Sequence, residues 1–155
     1  MIIKVVRKVF IDDTRQIISR LEKKYGGSYE EFENELSEGG GNREWLEDSI
    51  EWSRMTHAIR AYGEGEDFDY STEETVELNR DQVSKLTPRR MELLDQLSRL
   101  RVVSINDFAS KVGRDVKNVH GDLRILEELG FVRLTRHGRR IIPELLVHEI
   151  TLLLG

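Results

Sequence analysis

The sequence contains no cysteine, which excludes a disulfide framework and any thiolate metal site. It has no apolar run approaching the length of a transmembrane helix. Met1 to Phe10 alternates apolar and basic residues instead of forming the apolar stretch of a secretory signal. The expected compartment is therefore the cytoplasm, with no membrane partner. His57, His120, His137 and His148 share no metal-ligand spacing with one another or with a carboxylate motif. Gly39-Gly40-Gly41 lacks the following Lys and Ser/Thr of a phosphate loop, and no serine lies in a nucleophile elbow. Glu30, Glu31, Glu33 and Glu35 read as a solvated helix face. No catalytic residue, cofactor or metal is expected, and the chain is not read as an enzyme. There is no internal repeat and no low-complexity tract.

What is present is charge, unevenly distributed. Over 155 residues the formal net charge is −5, with 34% charged and 38% hydrophobic residues, enough apolar material for one ordinary domain or two small ones. Residues 1–84 carry 11 Lys/Arg against 20 Asp/Glu, whereas residues 85–143 carry 13 against 7. Residues 144–155 add only Glu144 and Glu149. An acidic part joined to a basic part suggests two tasks, and basic surface attracts phosphate. Two solvated domains that merely differ in charge would show the same numbers.

Along the chain, Met1–Phe10 reads as a strand from its β-branched residues, with a helix as the alternative. Asp12-Asp13-Thr14 reads as a turn and N-cap. Ile17, Ile18, Leu21 and Tyr25 follow helical spacing, and Gly26-Gly27 stops that helix. Ser28 and Glu31 are spaced for a capping box opening a second helix, with Tyr29, Phe32 and Leu36 on its apolar face. After the glycine break, Asn42 can cap a third helix of about twenty residues, a length set by its periodic pattern. On it Trp45, Trp52 and Ile59 lie seven apart, Met55 and Tyr62 fill the intermediate positions, and Leu46 and Ile50 widen the stripe. Such a stripe is either core or a partner surface. Gly63–Glu74 is acidic and glycine-containing and reads as a linker, with Thr75–Leu78 a short strand. The expected organisation is an acidic, mostly helical N-terminal domain (1–62), a linker (63–78) and a C-terminal domain (79–155).

From Leu86 the signals sharpen. Thr87 is a good N-cap and Pro88 is favoured at the first helical position. Met91, Leu94 and Leu97 recur at helical spacing, with Leu93 and Leu100 beside them. Ser104 and Asp107 resemble a capping box for a second short helix burying Ile105, Phe108, Ala109 and Val112, and Gly113 makes the turn. Asp115 can cap a third helix ending at Leu129, with Gly130 at C′. On that helix Val116, Val119, Leu123 and Leu126 share one face. The opposite arc holds Arg114, Lys117, Asn118, Gly121 and Arg124, with His120 at its edge. Such an arc suits base edges and phosphates, although an amphipathic helix with solvated charge would look the same taken alone. Phe131–Leu134, the turn Thr135–Gly138 and Arg139–Ile142 add a basic hairpin, which places Arg136, His137, Arg139 and Arg140 as a wing beside the minor groove or its phosphates. The expected fold class is mainly α with a little β (α+β), with a C-terminal winged helix-turn-helix.

Three runs carry a family resemblance: Leu86-Thr87-Pro88-Arg89-Arg90-Met91-Glu92-Leu93-Leu94, Gly113-Arg114-Asp115-Val116-Lys117-Asn118-Val119-His120, and Leu126-Glu127-Glu128-Leu129-Gly130-Phe131-Val132. Residues of about 75–150 thereby resemble the MarR-like winged-helix DNA-binding proteins of archaea. The resemblance implies a DNA-binding transcriptional regulator, with Arg89 and Arg90 added to the DNA-facing set. The chain departs from that pattern at Gly121, where a basic residue often follows the histidine. Either the helix approaches DNA closely there or binding is weakened, and glycine in a helix interior costs about 1 kcal/mol relative to alanine.

A second resemblance rests on Leu21-Glu22-Lys23-Lys24-Tyr25-Gly26, Tyr29-Glu30-Glu31-Phe32 and Glu51-Trp52. Residues of about 17–62 resemble the toxin-facing segments of small archaeal antitoxins. This implies that Trp45, Trp52, Met55, Ile59 and Tyr62 face a partner such as a basic toxin. Two readings follow. One is a regulator of transcription that binds double-stranded DNA, its N-terminal half serving dimerisation or effector sensing. The other is an antitoxin-like protein that also regulates its own operon. A homodimer is expected because Leu145-Leu146-Val147 and Ile150–Leu154 are too apolar for one small domain to bury. That segment would pair with Ile2–Val9, either within one chain or across a dimer.

Overall fold

The computed structural model describes every residue from Met1 to Gly155. The fold is α+β. Its order is β1 (Ile2–Lys8), α1 (Ile11–Tyr25), α2 (Tyr29–Ser37), α3 (Arg43–Gly63), β2 (Ser71–Glu77), α4 (Arg80–Lys85), α5 (Pro88–Arg99), α6 (Ile105–Val112), α7 (Val116–Glu128), β3 (Val132–His137), β4 (Arg140–Leu145) and β5 (Val147–Leu153). No helix is long and apolar enough to cross a membrane.

The chain divides into two compact units, and the division differs from the sequence boundaries. Residues 8–71 form one unit, while Met1–Arg7 joins Thr72–Gly155 in the other. The cause is strand pairing between segments distant in sequence: β1 lies between β2 and β5 in a three-stranded sheet. β1 runs antiparallel to β5, from Ile2 opposite Leu153 to Arg7 opposite Val147. The apolar C-terminal segment is thus paired within the chain. The expected linker is shorter than its composition suggested, because strand β2 begins at Ser71 and Tyr70 is only 6% exposed.

In the unit of residues 8–71, α1 begins at Ile11, ahead of the expected Asp12–Thr14 turn. Those two aspartates fall in its first turn, where the helix dipole favours them. Thr14 is fully buried, and its hydroxyl donates to the Phe10 carbonyl at 3.0 Å. Ser28 caps α2 and Asn42 caps α3, each accepting from the backbone N–H three residues on. The α3 stripe meets rings from α1 and α2. Trp52 lies 5.4 Å from Phe32, 5.6 Å from Tyr29 and 6.2 Å from Tyr25, centroid to centroid. Separately, Met55, Ala58 and Tyr70 cluster with Ile17, Ile18, Leu21 and Phe68.

In the other unit the core is aliphatic around Phe108, with Leu93, Leu97, Ile105, Val119, Leu123 and Leu126 all buried. Caps follow the sequence closely. Thr87 accepts from the Arg90 N–H, Ser104 from Asp107 and Asp115 from Asn118. Gly113, at φ 68°, occupies the left-handed conformation that ends α6. Two expected core positions differ: Met91 and Val116 are each 40% exposed. α4 is an element the sequence reading missed; Asn79 and Gln82 close a full capping box at its start.

Candidate nucleic-acid interface

α7 buries Val119, Leu123 and Leu126 against the core. Its other side is therefore fixed outward by the 3.6-residue period. Lys117, Asn118, Gly121 and Arg124 are all exposed, and His120 is half-buried. A Cβ at Gly121 would meet nothing within 4 Å, so packing within the chain does not require glycine there.

Two clefts flank this face. One, of about 370 Å³, lies between the start of α6, α7 and the β3–β4 hairpin. It brings together Asn106, Lys117, His120, Arg139 and Arg140, with Val116 in its wall. Val116, 40% exposed, thus lines this cleft and not the core. The other cleft, of about 770 Å³, lies between the start of α5 and α7. It gathers Thr87, Arg89, Arg90, Arg114, Lys117, Asn118 and Gly121. Lys117 lines both. Arg124 lies further along α7, and Arg136 and His137 are exposed near the hairpin tip; none of these three lines either cleft.

The hairpin is held against α7 by identifiable bonds. Gly130, at φ 81°, turns the chain after α7, and the Phe131 N–H donates to the Leu126 carbonyl at 3.0 Å. The Glu127 carboxylate accepts from the Leu134 N–H at 2.8 Å. β3 and β4 pair from Val132 opposite Leu145 to His137 opposite Arg140. Gly138, at φ 64°, takes the turn in a conformation few other residues tolerate. Arg139 and Arg140 consequently sit at a fixed point on the same surface as Lys117.

The cations are not equivalent. Asp122, absent from the sequence-based set, accepts from Arg90 Nε at 3.1 Å and from Arg114 Nη2 at 2.7 Å. Arg90 also donates Nη1 to the Lys85 carbonyl at 3.0 Å. The three side chains are mostly buried, 16–20% exposed. Arg90 and Arg114 therefore tie α5 and the α6–α7 turn to α7 while still lining the cleft. By contrast, no carboxylate pairs with Arg89, Lys117, Arg124, Arg136, Arg139 or Arg140. Asp122 carried a faint signal, one acid on an otherwise basic arc, but its two partners lie 32 and 8 residues away.

The other expected interface is corrected more strongly. Trp52 and Met55 are each 1% exposed and cannot face a partner without unfolding their unit. Trp45 and Ile59 are half-buried, Trp45 with its ring 5.2–5.3 Å from Tyr25 and Phe32. Only Tyr62 of the five is freely exposed, at 46%. Ile59 lines an open cleft of about 700 Å³ with Ile18, Tyr29 and Arg60. No group of His, Asp and Glu is placed to hold a metal ion.

The family HVO_A0114 matches residues 85–152, a stretch a little under half the chain, to which the chain is similar there. Every cation of the α7 and hairpin surface falls inside it. No curated protein matches the chain.

Proposed function

We propose that residues 85–145 act as a winged helix-turn-helix that binds double-stranded DNA, in a regulator of transcription. α7 is the recognition helix and the β3–β4 hairpin is the wing. One observation carries the reading: Lys117 and Arg124 lie on the exposed side of α7, Arg139 and Arg140 share a cleft with Lys117, and none of the four is engaged by a carboxylate. Thirteen residues make α7 about 20 Å long at 1.5 Å per residue, and a helix of ordinary diameter fits the major groove. Lys117 and Arg124 reach phosphates or guanine, Asn118 suits adenine, and Arg139 and Arg140 add phosphate contacts from the wing.

The test is DNA binding by fluorescence anisotropy over a series of salt concentrations. Lys117→Ala with Arg124→Ala should reduce the slope of log affinity against log salt by about 2, at about 0.9 per lost phosphate contact. Arg139→Ala with Arg140→Ala should weaken random and preferred duplexes alike, since phosphate contacts carry no sequence information. Wild-type protein that shows no salt-sensitive binding at low ionic strength would sink the reading.

The reading includes a homodimer, because a two-fold pair presents two recognition helices to a two-fold site. The surface that supports it is the free edge of β5. There Leu152 is 49% and Leu153 43% exposed, with Ile2 at 46% on the neighbouring strand. The opposite edge, β2, is guarded by Glu73, Glu74 and Glu77. The one charge on β5, Glu149, already faces Lys4 at 3.7 Å, so a second β5 can approach without like-charge repulsion. Light scattering at micromolar concentration should give a dimer, and Leu152→Lys with Leu153→Lys a monomer. A monomeric wild type, or a variant that stays dimeric, removes this assignment.

A further inference from the structure

Asp122 interrupts the basic surface directly beside Gly121, and it is the one carboxylate lining the cleft between α5 and α7. Its two oxygens are taken by guanidinium groups from different elements, Arg90 on α5 and Arg114 in the turn before α7. Arg89, Lys117 and Asn118 share the cleft with this triad. A duplex lying on α7 would bring its phosphates toward the same cleft. There it would meet two cations already neutralised in part and one carboxylate that repels it.

We infer that Asp122 restrains the protein's affinity for DNA of every sequence. The inference rests on the DNA-binding reading and adds a role to a residue which that reading does not use. Phosphate contacts strengthen binding to every sequence equally. The repulsion by Asp122 acts on the same phosphates, so it weakens binding to random and preferred duplexes alike.

The experiment compares wild type, Asp122→Asn, Arg114→Gln and Lys117→Ala. Each is titrated against a random duplex and against the sequence that wild type enriches from a random pool. Asp122→Asn keeps the shape, removes the charge that neutralises the two arginines and leaves one oxygen able to accept from them. Its salt slope on random DNA should steepen by about 1–2, with about tenfold tighter binding near 0.1 M salt. The ratio of preferred to random affinity should stay near that of wild type. Arg114→Gln should lower the slope by less than Lys117→Ala does, because its charge is spent in part on Asp122, whereas Lys117→Ala should lower it by about 0.9.

A purely structural staple predicts the opposite: Asp122→Asn would melt earlier by circular dichroism and bind both duplexes more weakly with no steeper slope. That result overturns the inference while leaving DNA binding intact. Should Asp122→Asn not fold, Arg114→Gln decides: a slope loss equal to or greater than that of Lys117→Ala overturns it, and a smaller loss supports it. A wild type without salt-sensitive binding overturns the DNA-binding reading and this inference together.

Discussion

The centre of residues 8–71 contains a set of stacked and tilted rings from three helices, with Phe32 and Trp52 innermost. The core of the unit built from residues 1–7 and 72–155 consists largely of branched aliphatic side chains around two phenylalanines, Phe108 and Phe131. The surfaces differ as well. In the ring-centred unit Arg15, Lys24, Arg43 and Arg54 lie beside carboxylates, so the charge left over is negative. In the aliphatic unit the unpaired charge is positive and gathers on α7 and the hairpin. Total composition is acidic, yet what a partner meets is the charge remaining after local pairing. The formal charge of −5 therefore says little about either face.

The difference in cores can be broken directly. Trp52→Ala should cost about 3–5 kcal/mol and Leu123→Ala about 2–5 kcal/mol, since each removes a fully buried side chain from a packed interior. Both tryptophans of the chain lie in the ring-centred unit, so their emission reports on that unit. Wild-type emission should be blue-shifted and poorly quenched, because Trp52 is 1% exposed. In Trp52→Ala the remaining emission from Trp45 should shift to the red. Urea unfolding followed by fluorescence and by circular dichroism measures both costs. A Trp52→Ala loss below about 1 kcal/mol would be too small for a buried ring and would contradict this packing.

Much of the aliphatic unit was legible in the sequence, and the reason is local. Thr87-Pro88, Ser104, Asp115 and Gly113 punctuate three helices within a few residues of each boundary, and the observed caps use those residues. The ring-centred unit was legible as helices but not as a packing arrangement. The seven-residue spacing of Trp45, Trp52 and Ile59 is the same for a stripe that meets a partner and one that meets α1 and α2. Only the approach of Tyr25, Tyr29 and Phe32 decides between them. β1 was legible as a strand and the apolar C-terminal segment as its partner, 140–151 residues away, but the pattern does not say whether the pairing forms within one chain or across a dimer. Of the candidate surface, the free cations were legible from the helical period. The Asp122 triad was not, because three residues far apart in sequence meet only in the fold.

Two aspartates, one in each unit, sharpen the comparison under acid. In the ring-centred unit burial pushes Asp48 up, but hydrogen bonds from the Lys24 ammonium and the Tyr25 hydroxyl outweigh it and hold the carboxyl below its ordinary range. A group whose pKa is depressed in the folded state contributes stability above its unfolded value, about 3.9 for aspartate. That contribution is lost as pH falls through the lower folded value. Asp48→Asn should therefore destabilise the protein at neutral pH and flatten the acid side of its stability curve, followed by tryptophan emission. A difference from wild type that does not shrink as the pH is lowered through and below the ordinary aspartate range would show that ionisation is not its cause.

The smallest effect belongs to Asp107, at the start of α6. Its carboxylate accepts from the Val103 N–H at 3.0 Å and lies 3.2 Å from Lys111. The backbone bond first, and then the lysine, hold its carboxyl below the ordinary value. The direction matches that of Asp48, so the stability is again present at neutral pH and lost on acidification. The magnitude is smaller because solvent screens the Lys111 pair, and because an asparagine oxygen can still accept from the Val103 N–H. Asp107→Asn should lower the melting temperature slightly at pH 7, by less than Asp48→Asn does, with the difference closing as pH falls. High salt should remove most of it, because what the variant loses is mainly the exposed interaction with Lys111. A loss as large as that of Asp48→Asn, or one insensitive to salt, would mean that the α6 cap depends on more than this screened carboxylate.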